Sequence, residues 1–314
     1  MGVHPRQPSV SLVIPAYNEE AVIGQCVAAA LRQSVPAREI IVVDNRSTDR
    51  TAEIVRRLQR EHPQAPLRLA RQDAEQGLVP TRNAGLGLAT GDVLGRIDAD
   101  SVLEPDWVEQ VAGAFLDPEV MGATGPVHYY DMPLRRWGLK ADDRLRQLVL
   151  NLACRQHQFL FGSNMALRRT AWEAISGEVC RDEADQMHED IDISLHLAEH
   201  HLKIRYVPTM VAGMSARRLE DSPGDYRRYV ARFGRTYRAH RIERKALRIP
   251  ELLFLSIYYP ARTLRYLHGR TDAGRRGISP FPATTPPSSQ ALQASEASQA
   301  ARRAVRERRR PTRP

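Results

Sequence analysis

The chain is poor in cysteine and in long apolar runs, and each shortage excludes something. Its 314 residues hold three cysteines, Cys26, Cys154 and Cys180, far apart and without a Cys-x-x-Cys spacing. So sparse and odd a set argues against a disulfide framework or a cysteine zinc site and fits a reducing compartment. The longest apolar run that suggests a membrane, residues 252–260, falls well short of the roughly 20 residues a spanning helix needs. The first eight residues, polar and proline-containing, are not expected to act as a secretory leader. What is present is 42% hydrophobic content, enough for one large domain or a domain with appendages.

A net charge of +9 looks like a nucleic-acid signal until it is placed along the chain. Residues 270–314 carry ten Arg against three acids, and residues 215–269 thirteen Lys or Arg against five, which leaves residues 1–214 net negative. The basic character therefore belongs to the C-terminal third, and no nucleic-acid module accompanies it, so no nucleic-acid partner is expected.

Strand and helix patterns alternate through the first hundred residues. Apolar strands are expected at 9–15, 39–43, 67–70 and 93–97, with helices at 21–33, 51–61 and 78–89 between them. This rhythm predicts an α/β fold, a Rossmann-like, mostly parallel sheet covered by helices on both faces. Beyond it, a helix is expected at 105–115, a strand at 120–128, a mostly helical stretch at 129–161, a helix from His188, a strand at 204–208, and helices at 223–246 and 251–267. The stretch from 269 onward, rich in Pro, Ser, Ala, Gln and Arg, is expected to be disordered.

Ligands of such sheets sit beyond the carboxyl ends of the strands, where residues 16–20, 44–49 and 98–100 all fall. Asp98 and Asp100 leave the fourth strand at i and i+2 and project to one side. Two carboxylates that close require a cation, and their oxygens suit Mg²⁺ or Mn²⁺ shared with substrate phosphates. About one Asp-x-Asp is expected by chance among 18 Asp in 314 residues, so on its own the pair is either a metal-bridged diphosphate site or a solvated turn.

Five ordered motifs narrow the choice: Val13-Ile14-Pro15-Ala16-Tyr17-Asn18-Glu19; Val42-Val43-Asp44-Asn45-Arg46-Ser47-Thr48-Asp49; Arg82-Asn83-Ala84-Gly85 with Gly91-Asp92; Asp98-Ala99-Asp100; and Glu189-Asp190-Ile191-Asp192. In these the chain resembles the family 2 glycosyltransferases, inverting enzymes of the GT-A fold, over residues 9–211. The resemblance implies sugar transfer from a UDP- or GDP-sugar to a hydroxyl of a glycan or lipid-linked acceptor, with Mn²⁺ or Mg²⁺ as cofactor. It implies that Pro15, Tyr17 and Glu19 line the nucleotide pocket, that Asp44 recognises the base and that Arg82 lies near the nucleotide. Asp98 would lie near the ribose and the metal, Asp100 would ligate the metal directly, and Asp190 would be the catalytic base. Gly162-Ser163-Asn164 resembles the segment beneath the donor sugar and acceptor. Where the family often has two acidic residues this chain has Asp44-Asn45, and it lacks the Gln-x-x-Arg-Trp motif of processive synthases, so single addition is expected.

The expected organisation is a catalytic domain at 1–214, with a nucleotide-sugar half at about 9–100 and an acceptor half at about 101–214. A basic and apolar helical extension follows at 215–268, then an Arg-rich tail at 269–314. The helix at 251–267, with Arg262 and Arg265, either packs on the catalytic domain or, with the tail, lies on an anionic membrane surface. Cytoplasmic placement is expected, with residues 251–314 the candidate for peripheral contact with the inner face of the membrane. His188 either completes a metal shell or is structural, whereas His196, His200 and His201 read as a solvated helix face. Trp107, Trp137 and Trp172 read as packing residues, with acceptor stacking as a second reading of Trp137. Competing functions are a sugar-phosphate nucleotidyltransferase, which needs a basic Gly-rich loop where residues 16–20 are acidic, and a non-catalytic membrane-surface or nucleic-acid binder.

Overall fold

The computed structural model describes residues 6–133, 135–153, 159–182, 186–242 and 249–269. Cys154, the side chain of Trp137, residues 243–246 of the expected helix and the tail from 270 lie outside them.

The first half alternates as the apolar pattern requires: β1 (Val10–Ala16), α1 (Ile23–Leu31), β2 (Glu39–Asp44), α2 (Thr51–Glu61), β3 (Leu67–Arg71), α3 (Leu78–Leu88) and β4 (Val93–Arg96). Every residue of β1, β2 and β4 is buried. Alternate side chains feed two cores on opposite faces: Leu12, Ile14, Ile40 and Val42 pack with Trp107 and Phe115 on one, and Val13, Ile41, Val43 and Leu94 with Leu86, Trp172 and Ile193 on the other. A strand buried on both faces has no polar side, which explains the continuous apolar runs.

The chain continues through β5 (Val102–Leu103), α4 (Trp107–Ala114), β6 (Val120–Thr124), β7 (Val127–Tyr129), α5 (Arg135–Ala153), β8 (Met165–Arg168), α6 (Arg169–Ile175), α7 (Glu189–Glu199), β9 (Lys203–Tyr206) and β10 (Ala212–Met214). A short 3-10 turn, Arg217–Glu220, leads to α8 (Pro223–Val230), α9 (Arg232–Ala239) and α10 (Ile249–Gly269). The main sheet has the order β3-β2-β1-β4-β8-β6-β9, and β5-β10-β7 form a small second sheet. The pairs β3-β2, β2-β1, β1-β4 and β6-β9 are parallel, while β8 runs antiparallel to both β4 and β6.

Three expectations need correction. The strand expected at 120–128 is two strands in two sheets, because Pro126 has no N–H for a ladder and a side chain at Gly125 would stand 2.0 Å from the Met210 carbonyl oxygen. The helix expected at 223–246 divides at Ala231 into α8 and α9. His196 is not on a solvated face: its side chain is 13% exposed, whereas His200 and His201 are exposed. Trp107 and Trp172 are core residues as expected, the indole N–H of Trp107 donating to Asn164 Oδ1 at 2.8 Å.

Arg262 and Arg265 on α10 turn inward. Arg262 donates to the Asp221 carbonyl at 2.6 Å, and Arg265 pairs with Asp131 at 2.5 Å and Glu220 at 2.9 Å. Leu252, Tyr266 and Leu267 of the same helix are exposed, and no helix among the described residues is long and apolar enough to cross a membrane.

Candidate active site

The loops leaving β1, β2 and β3 are tied to one another by short polar side chains. Asn18, in the left-handed region at φ 54°, accepts the Thr48 N–H on Oδ1 at 2.8 Å, and the Glu19 N–H donates to Thr51 Oγ1 at 2.8 Å. Asn45 donates from Nδ2 to the carbonyls of Gln72 at 2.7 Å and Glu75 at 2.9 Å and accepts the Gly77 N–H at 2.8 Å. Only an amide both donates and accepts in this way, so the residue standing where the family often has an acid holds the loop after β3 in place.

Between these loops and the 3-10 turn lies a cleft of about 770 Å³. Pro15, Tyr17, Glu19, Arg82, Asp98 and Asp100, six of the residues singled out from sequence, line it together. Asp44 does not: it is 1% exposed, its Oδ1 accepts the Ser47 N–H at 3.4 Å, and its neighbour Asn45 reaches the cleft instead. Arg82 is buried between two carboxylates, 2.5 Å from Asp98 and 2.5 Å from Glu189. Asp100 is 6% exposed, and burial followed by the charge of Asp98 pushes its pKa up to about 6.

Arg217, which sequence reasoning left among the C-terminal basic residues, supplies the countercharge. It holds Glu19 with two hydrogen bonds of 2.7 Å and brings Nε to 3.1 Å from Asp100 Oδ2. Asp100 and Glu19 are thus hard oxygen donors facing one cation, and Asp98, paired with Arg82, lines the same cleft. Such a set fits Mg²⁺ or Mn²⁺ better than a soft ion.

The second acidic motif lies at the other end of the Arg82 link. Arg96, fully buried in β4, pairs with Glu189 and donates to the Gly162 carbonyl at 2.5 Å. Asp190 accepts the Gly162 N–H on Oδ2 at 2.7 Å. Gly162 is required here by close approach, since a Cβ would stand 2.4 Å from Arg96 Nη2 and 2.9 Å from Asp190 Oδ2. Burial opposes ionisation of both carboxyls, but their surroundings separate them. The Arg82 and Arg96 guanidiniums hold Glu189 low, whereas the Glu189 charge adds to burial and raises Asp190. Asp190 keeps partial solvent access although it is set deep in the protein. Environments that push two neighbouring carboxyls apart are those in which one serves as an ion-pair anchor and the other exchanges a proton.

His188 is structural. It is 7% exposed, packs against the rings of Tyr229 and Phe233, belongs to no metal-capable group among the described residues, and burial depresses its pKa to about 4. Arg96 was the missed residue with a sequence signal, an arginine inside an otherwise apolar buried strand.

The sequence matches the family model for glycosyl transferase family 2 over residues 11–176, just over half of its length, and that for glycosyl transferase family group 2 over 96–266. A hyaluronan synthase of Pasteurella multocida is 34% identical over 116 residues, which is 37% of this chain but only 12% of that protein. Among solved structures, the mannosyltransferase PcManGT from Pyrobaculum calidifontis, in complex with GDP-Man and Mn²⁺, aligns over 94% of this chain and 81% of its own with a TM-score of 0.56 and 22% identity. Glucosyl-3-phosphoglycerate synthase from Mycobacterium tuberculosis, with Mn²⁺, UDP and glucosyl-3-phosphoglycerate, covers 76% of this chain and 82% of its own at a TM-score of 0.50 and 18% identity. These likenesses share the α/β GT-A architecture. With a family model spanning more than half of its residues, the chain belongs to glycosyl transferase family 2.

Proposed function

We propose that the protein is a metal-dependent, inverting glycosyltransferase that moves a sugar from a UDP- or GDP-sugar to a hydroxyl of a glycan or lipid-linked acceptor in cell-envelope or polysaccharide synthesis. One observation carries this reading: Asp98 and Asp100 share a cleft with Glu19, Tyr17 and Arg82, and Arg82 connects that cleft through Glu189 to the neighbourhood of Asp190. The complexes of PcManGT with GDP-Man and Mn²⁺ and of glucosyl-3-phosphoglycerate synthase with UDP and Mn²⁺ support a nucleotide diphosphate donor and a divalent ion.

In this reading Asp98 and Asp100 hold Mn²⁺ or Mg²⁺, and the ion, when bound, supplies the positive charge that makes a nucleoside diphosphate an adequate leaving group. Tyr17, 52% exposed on the cleft wall, offers a face for the base, beside Pro15 and Asn45. Asp44, buried behind that wall, acts on the base only through the loop it orders. Arg82 keeps Asp98 oriented. Asp190, with its carboxyl raised by burial and Glu189, takes the proton of the acceptor hydroxyl as that oxygen attacks the anomeric carbon. Gly162 fixes the Asp190 carboxylate by donating its N–H to Oδ2.

The exposed Leu252, Tyr266 and Leu267 support peripheral contact of α10 with a membrane that holds a lipid-linked acceptor. The test of the reading is a panel of UDP- and GDP-sugars offered with Mn²⁺, scored first by thermal stabilisation and then by product formation with the anomeric configuration assigned by NMR. Stabilisation by one donor and an inverted anomer are expected. Indifference to every nucleotide sugar with and without Mn²⁺ overturns it.

A further inference from the structure

Two residues beyond Asp190 a second group of ligating side chains comes together. Asp192 and His196 stand one helical turn apart on α7, and His240 follows the last residue of α9; none of the three lines the cleft. Asp192 is 2% exposed, and the imidazole side chains are 13% and 10% exposed. His240 Nε2 lies 2.8 Å and His196 Nε2 3.7 Å from one atom, Asp192 Oδ1, and the two rings meet edge to face with centroids 5.0 Å apart. The ligand atoms of the three residues all lie within 4.8 Å of one another. Ligands of a tetrahedral ion bonded at about 2.0–2.1 Å stand roughly 3.3 Å apart, a value that the two measured distances bracket.

The remaining atoms of the group are provided for as well. His196 Nδ1 lies 3.0 Å from Glu199 and 3.6 Å from Glu178, and His240 Nδ1 lies 3.6 Å from Glu199. A carboxylate at Nδ1 keeps the proton on that nitrogen and leaves the Nε2 lone pair free, the arrangement that orients histidine ligands around metals. The Cys180 N–H donates to Asp192 Oδ2 at 2.9 Å, which fixes the carboxylate with Oδ1 directed at both rings.

We propose that Asp192, His196 and His240 bind a zinc-class transition ion, separate from the Asp98–Asp100 pair, and that this ion clips α9 onto α7. Two imidazoles and one carboxylate favour Zn²⁺ over the Mg²⁺ or Mn²⁺ that suits an all-oxygen pair. Water completes the shell, and Glu199 stays behind the rings on their Nδ1 atoms. The helix so clamped is the one that begins with Glu189 and Asp190, so the ion also steadies the element that carries both carboxyls. Without it, the same geometry is an ion pair between Asp192 and a protonated His240, the competing account.

The deciding experiment uses the tag-free full chain, stripped with a chelator and then given Co²⁺ or Zn²⁺ alone. We expect one equivalent to survive desalting, the visible absorption of four-coordinate Co²⁺, and a raised melting temperature in Zn²⁺. His196→Gln and His240→Gln should each weaken binding more than about 100-fold, and the outer-shell Glu199→Gln about 10-fold, with circular dichroism verifying the fold. The Asp98→Asn/Asp100→Asn double variant should keep its equivalent, and this alone decides the matter if the glutamine variants do not fold. Failure of the wild-type chain to retain Co²⁺ would leave only the proton-linked pair and overturn the proposal. So would undiminished retention in the His variants, or loss of the ion in the Asp98/Asp100 variant.

Discussion

Arg217 grips the carboxylate of Glu19 through both terminal guanidinium nitrogens, at 2.7 Å each, across 198 residues of sequence. Its Nε stands 3.1 Å from Asp100, so one cation from beyond β10 serves two acids of the cleft. The turn that presents it is braced by α10, where the Tyr258 hydroxyl and Arg262 both donate to the Asp221 carbonyl and Arg265 joins Asp131 to Glu220. The C-terminal helix therefore helps to set the charge of the cleft.

Removing that cation should be visible without any substrate. Arg217 is about half exposed, so its pairs contribute about 1 kcal/mol, and Arg217→Ala should lower the melting temperature by a few degrees. Asp100 and Glu19 are then left facing each other, and Mn²⁺ should recover more stability in the variant than in wild type. Equal Mn²⁺ responses in thermal unfolding would show that Arg217 and the ion do not share a place.

Asp100 should make divalent-ion binding depend on pH. Its carboxyl is raised to about 6, first by burial and then by the charge of Asp98, so a proton competes with the ion below that pH. The sign for stability follows: a raised carboxyl means that the folded state binds the proton more tightly than the unfolded chain does. Ionising Asp100 in the ion-free protein costs stability above about pH 6, and the cost disappears as pH falls from 6 towards 4. Apparent Mn²⁺ affinity, titrated calorimetrically, should fall about tenfold per pH unit below 6 and become flat in Asp100→Asn.

Asp190→Asn should separate binding from turnover. The amide retains an oxygen for the Gly162 N–H but removes no proton, so turnover should drop by about 10²–10⁴-fold while donor affinity changes less than about twofold. In wild type the turnover rate should rise with pH as the raised Asp190 carboxyl ionises, and that limb should vanish in the variant. Wild-type kinetics in Asp190→Asn would dismiss it as the base.

Asn45→Asp restores the acid common in the family and should nonetheless destabilise this protein. A carboxylate cannot donate to the carbonyls of Gln72 and Glu75, and two part-buried acceptors lose their partner, at a cost of about 1 kcal/mol. Chemical denaturation checks the loss. Donor affinity should fall with it, because the loop tied by Asn45 forms one wall of the cleft.

Legibility in the sequence followed the range of the forces involved. The bounds of α2 were readable at 51–61 because its face is set by neighbours three and four residues apart, with Val55 and Leu58 buried. β1, β2 and β4 announced themselves as apolar runs. β8 passed unseen, since four residues between a short loop and a helix carry no period, and only the gap between β4 and β6 makes Met165–Arg168 a strand. Arg96 and Glu189 were equally hidden as partners, because an arginine and a glutamate 93 residues apart become an ion pair only when the sheet and α7 meet.

From the order of its residues alone this chain was bound to make parallel strands that end in carboxylates, since apolar runs bury themselves and polar residues must begin where burial stops. Which cation faces each carboxylate was decided by the folded molecule: Arg217 for Glu19 and Asp100, Arg82 for Asp98, and Arg96 for Glu189. Charge pairing depends on distance in space, and these distances arise only after helices far apart in the chain have packed.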